Sequence, residues 1–91
     1  MKRLERVFKG LANRRRLAII QMLSKREEAS VADIAEHISL SFTSTSKHLG
    51  LLHRIDVVDK RQDGLTVYYR LSNPLPQVVS LVSSHIANSR E

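Results

Sequence analysis

Between Val57 and Leu71 the apolar spacing of this chain switches from a helical period to a two-residue alternation, which limits the folds open to it. "VVDKRQ" and "LTVYYRL" flank Asp63-Gly64, a dipeptide suited to the central pair of a type I′ hairpin turn. In the second arm Leu65, Val67, Tyr69 and Leu71 alternate with Thr66, Tyr68 and Arg70, predicting a half-buried strand. Everything upstream reads as helix. Leu4, Val7, Phe8, Leu11 and Ala12 recur at helical spacing, in a helix that Gly10 weakens slightly. Asn13 can cap a second helix with Leu17, Ile20 and either Leu23 or Met22 inward, and "SKREEA" is a polar connection.

"SVAD" has the form of a capping box, with the Ser30 side chain serving the first turn and the Asp33 carboxylate reaching back. Val31, Ile34, Ala35 and Ile38 give that third helix its apolar stripe. After a tight turn the pattern restarts behind Ser41, with Thr45, Leu49 and Leu52 at helical spacing. Two short helices joined this way form a helix-turn-helix, and a hairpin directly after the second is a wing. In "SNPLP", Asn73 reads as a cap and Pro74 as the first residue of a terminal helix with Leu75, Val78, Val79, Val82 and Ile86 apolar. The expected fold is mainly α with a small β-hairpin, a winged helix-turn-helix of order α-α-α-α-β-β-α, in one domain over residues 1–91.

The fourth helix opens on "SFTSTS", five hydroxyl side chains in six positions where helix propensity alone disfavours them. On a wheel Thr45, Leu49 and Leu52 face the core, while Ser44, Lys47 and His48 gather opposite, and Ser46 lies at the edge of the buried side. Short hydroxyls at the leading end of such a helix reach phosphates or base edges without holding it out of the major groove. Phe42 either packs against a thymine methyl or makes a staple-like contact inside the domain. Lys60, Arg61, Gln62 and Thr66 crowd the hairpin tip, suited to minor-groove or backbone phosphate contact, although hairpin tips are polar in general. Of Arg14, Arg15 and Arg16, which open the second helix, the outer two would also reach phosphate, with a structural alternative for Arg16, beside Leu17.

Fifteen Lys and Arg against nine Asp and Glu give a net charge of +6, favouring polyanion partners. No stretch has the roughly 18 apolar residues of a membrane span. "MKRLERVFKG" is charged throughout, unlike a signal peptide, and zero cysteines exclude disulfides and thiolate metal sites. A cytoplasmic location is expected. Ser44 and His48 stand four apart, but no orienting acid or oxyanion donor set accompanies them, so catalysis is not expected.

"FKGLANRRRLAIIQMLS", "SVADIAEHISLSFTSTSKHLGLL" and "GLTVYYRL" resemble the ArsR/SmtB family of bacterial and archaeal transcriptional repressors, from about Val7 to Asn73. The resemblance implies a homodimer built from the helices near 3–12 and 74–88, binding an inverted-repeat operator in double-stranded DNA. It assigns DNA contacts to Ser41, Phe42, Thr43, Ser44, Ser46, Lys47 and His48, and adds an inducer, often a metal ion, that releases the DNA. The dimer face would comprise Leu4, Val7, Phe8, Leu11, Leu75, Val78, Val82 and Ile86. Where metal-sensing members carry a cysteine pair, this chain has Ser30 and Ala32, and its terminal helix offers only His85 and Glu91. His48 and His53 lie on different faces and His37 stands alone, so no metal or other cofactor is expected. Gly50 inside the recognition helix, and Ile55-Asp56 where a glycine usually ends it, are further departures. The competing reading is a winged helix for protein contact or for non-specific nucleic-acid or chromatin binding.

Overall fold

The computed structural model describes residues 2–76. Four helices come first, interrupted by one short strand: α1 (Lys2–Leu11), α2 (Arg14–Ser24), β1 (Ala29–Ser30), α3 (Val31–Ile38) and α4 (Phe42–Arg54). The hairpin β2 (Val58–Asp63) and β3 (Thr66–Leu71) follows. This is a winged helix-turn-helix. The expected terminal helix, with Val78, Val82 and Ile86, lies outside the described residues. No helix among the described residues is long and apolar enough to cross a membrane.

Local capping sets the helix starts. The Asn13 side chain accepts from the Arg15 and Arg16 amides at 2.9 and 3.1 Å. The Ser30 hydroxyl accepts from the Asp33 amide, and the Ser41 hydroxyl from the Ser44 amide, each at 3.1 Å. Only half of the capping box at Ser30 forms, because the Asp33 carboxylate faces Arg26 at 3.8 Å instead.

Both helices of the helix-turn-helix end on a left-handed residue that is not glycine. Ser39 (φ 56°) closes α3, where the Leu40 amide reaches the Ala35 carbonyl at 3.0 Å. Asp56 (φ 65°) closes α4, donating to His53 at 3.1 Å while the Val57 amide reaches Leu52 at 2.9 Å. Asp56 therefore does what glycine does in a Schellman ending, at a steric cost that glycine lacks. Asp56→Gly is expected to raise the unfolding free energy by about 0.5–1 kcal/mol, read from the urea midpoint at constant m-value. Its exposed ion pair with Arg3, at 3.4 Å, offsets little of this gain.

The core centres on Ile19, Ile20, Ile34, Leu49, Leu52 and Val57, all without exposed surface. Ile19, absent from the sequence expectation, is buried because α2 lies against α1, α3, α4 and β3 together. Thr45 is equally buried, and among the described residues its hydroxyl has no partner. Replacing that hydroxyl with a methyl removes an unsatisfied polar atom at nearly constant volume. Thr45→Val should therefore stabilise the fold by about 1 kcal/mol; a loss of that size in thermal unfolding would place an unseen acceptor on the hydroxyl.

Three expectations are corrected. The register pairs Asp63 with Thr66, so Gly64 and Leu65 form the turn. Positive φ occurs at Gly64 (64°) and not at Asp63, the signature of a type II′ rather than a type I′ connection. Leu65 consequently sits at the tip, fully exposed, instead of facing inward, whereas Tyr69 is buried and Val67 and Leu71 half-buried as expected. Second, the sheet has three strands in the order β1-β3-β2, with Ala29 opposite Tyr69 and Ser30 opposite Tyr68. Third, Asn73 and Pro74 do not open a helix, and residues 74–76 are non-helical. Pro76 disfavours helical geometry at Leu75.

The expected dimer residues also divide. Val7 and Leu11 are 2% and 5% exposed, because α1 turns them into the domain's own core, so they back the helix rather than face a partner. Leu4 and Phe8, one turn apart, remain 39% and 52% exposed. Leu75 is half-buried against the core.

Candidate nucleic-acid interface

The fourth helix is amphipathic in the required sense. Its Thr45, Leu49 and Leu52 edge is sealed against the core, which fixes its rotation about its own axis. Thr43 and Lys47 are consequently exposed, and Ser44, Ser46 and His48 half-buried beside them. Ser41 spends an oxygen lone pair on the cap and keeps its hydroxyl proton for an outside acceptor. Phe42 is 59% exposed, which removes the staple-like alternative.

Around this edge α2 contributes charge. Partial burial, then Arg16 and Arg15, press the His48 imidazole below its ordinary value of 6.5. At neutral pH it is therefore an uncharged ring with one donor and one acceptor, a state suited to base edges. The same observation places the first turn of α2 beside the recognition helix, so exposed Arg15 joins the surface. Its sequence signal was the Arg14–Arg16 run. Among the described residues no hydrogen bond joins the Ser44 hydroxyl to His48.

The wing residues do not form one cluster. Register places Lys60 and Gln62 opposite Tyr69 and Val67 on one face, and Arg61 and Thr66 opposite Tyr68 and Asp63 on the other. Arg61 is engaged within the domain. Its guanidinium donates to both Glu28 carboxylate oxygens, at 2.5 and 3.3 Å, and lies 4.6 Å from the Tyr68 ring centroid. That hydrogen bonding holds the Glu28 carboxyl below the usual carboxylate value. Arg61 thereby ties the hairpin to the strand-leading segment of β1. Gln62 donates to the Gly64 carbonyl at 3.2 Å and braces the turn, while among the described residues Lys60 and Thr66 make no side-chain hydrogen bond or ion pair. Among the described residues no group of three or more His, Cys, Asp or Glu side chains converges as metal ligands would.

Comparison with known proteins agrees with this geometry. The family model described as "Bacterial regulatory protein, arsR family" matches residues 13–60, just over half of the chain. The cadmium resistance transcriptional regulatory protein CadC of Listeria innocua is 42% identical over 66 residues, covering 72% of this chain and 56% of its own length. The chain thus spans little more than half of that relative. Reduced HlyU from Vibrio cholerae superposes with a TM-score of 0.81 at 31% identity, over 98% of this chain and 92% of that one. The homodimeric winged helix-turn-helix DNA-binding domain of Mb0332 from Mycobacterium bovis also gives 0.81 at 31% identity, over 99% and 83%.

Proposed function

This chain belongs to the arsR family of bacterial regulatory proteins, and on that premise we propose that it is a sequence-specific DNA-binding repressor of transcription. The observation that carries the reading is the two-sided fourth helix, buried along Thr45–Leu49–Leu52 and open along Thr43–Lys47. Ser41, Phe42, Thr43, Ser44, Ser46, Lys47 and His48 meet the major groove, with the first turn leading. Lys60 and Thr66 meet the flanking backbone. Arg61 and Gln62 chiefly hold the wing at the right height, Arg61 through Glu28 and a looser 3.9 Å pairing with Asp63.

The protein acts as a homodimer on an inverted repeat. Exposed Leu4 and Phe8 supply one apolar strip, and the segment near 74–88, including Val78, Val82 and Ile86, supplies the rest. The homodimeric state of Mb0332 supports this reading. Function is by binding, in the cytoplasm, without catalysis. Ser30 and Ala32 stand where metal sensors of the family hold cysteines, so any release of DNA by a ligand proceeds elsewhere.

Selection from a random duplex pool tests the proposal. The expected product is a symmetric site with half-sites about one helical turn, roughly 34 Å, apart. A pool that gains no consensus, bound no better than random DNA, would return the domain to non-specific binding or protein contact.

A further inference from the structure

Behind the recognition surface, α1, the first turn of α2 and the end of α4 enclose a groove of about 320 Å³. Its rim carries Arg6, Lys9, Arg16 and Arg54. Its floor is Gly10, Leu51 and Ile55. The floor is tightly built: a Cβ on Gly10 would stand 2.5 Å from the Ile55 Cδ1 atom and 3.3 Å from Leu51, so backbone and two aliphatic side chains close it.

No acidic side chain is among the lining residues. Arg6, Arg16 and Arg54 have no ion pair within 4 Å among the described residues, and Lys9 has only Glu5, at 3.8 Å on the exposed side of α1. Among the described residues the buried Arg16 Nε has no acceptor. A buried cationic donor left unsatisfied is costly, and like charges around one apolar hollow repel. An anion entering the groove lowers that repulsion and brings an acceptor to the Arg16 guanidinium. The volume lies at the small end of ligand pockets.

We infer that this groove is a binding site for a small amphipathic organic anion, whose carboxylate or sulfonate meets Arg16 and Arg54 while its apolar body covers Leu51 and Ile55. Duplex DNA satisfies the charges alone and makes no use of the apolar floor. Occupancy would neutralise Arg54, on the helix that carries Lys47 and His48, and Arg16 on α2 beside it, so the ligand would weaken DNA binding. That regulatory consequence rests on the DNA-binding reading above; capture of the anion does not.

The test titrates the isotope-labelled full chain, without DNA, with 2-naphthoate, neutral 2-naphthamide and inorganic phosphate, following amide shifts. Saturable shifts at Gly10, Leu51 and Ile55 are expected, with naphthoate about tenfold tighter than either control. Arg16→Gln with Arg54→Gln should weaken naphthoate about tenfold. Equal affinity for naphthoate and naphthamide in the unaltered chain, or shifts away from the groove, would overturn the inference. So would an absence of saturable naphthoate binding by the unaltered chain. Because the readout needs no operator, a failure here leaves the DNA-binding proposal standing, and the reverse also holds.

Discussion

Replacing Ser44, Lys47 and His48 together with alanine is expected to reduce operator affinity by about a hundredfold. Each good base-edge or charged contact contributes at least about 1 kcal/mol of discrimination, and three such losses sum to roughly 3 kcal/mol. Lys47 is exposed and Ser44 and His48 half-buried on the open side of α4, where alanine also improves helix propensity, so the fold should persist. Affinity for the selected duplex, measured at one fixed salt concentration, is the readout. Unchanged affinity would show that the edge reads nothing. Random-sequence DNA should lose much less, because the lost base contacts carry the specificity while other cations continue to hold phosphate.

Leu49→Ala has the largest expected effect on stability, a loss of about 3 kcal/mol in urea unfolding. Leu49 has no exposed surface and sits on the same helix edge as Thr45 and Leu52, so truncation leaves a cavity under the recognition helix. Against a typical total of about 5–15 kcal/mol, that is a large fraction. Measurements at matched protein concentration are needed, since a dimer's unfolding depends on concentration. A loss below about 1 kcal/mol would mean that α4 is not anchored through this edge.

These two variants divide one helix into its open and anchored sides, and that division was legible in sequence because a helical wheel needs only spacing. The caps at Asn13, Ser30 and Ser41 were legible for the same reason: donor and acceptor lie within three residues. What escaped was set by tertiary contacts. β1 is two residues long, has no alternation to detect, and exists only because Ala29 and Ser30 meet β3. Arg61 looked like a free cation, yet its partner Glu28 is 33 residues away in sequence. At the hairpin, Asp63-Gly64 and Gly64-Leu65 are both sound two-residue turns, and the strand register chose the second, moving Leu65 from the expected core to the tip. Val7 and Leu11 share an apolar stripe with Leu4 and Phe8, and only packing showed which pair the domain keeps for itself.

The central claim is that the leading end and open edge of α4 enter duplex DNA. Amide shift mapping of the full chain with a selected operator duplex tests it most directly. The account predicts the largest changes at Thr43, Ser44 and Lys47, with smaller ones at Lys60 and Thr66 in the wing. Changes confined to the Leu4–Phe8 side of α1, with the first turns of α4 undisturbed, would contradict it.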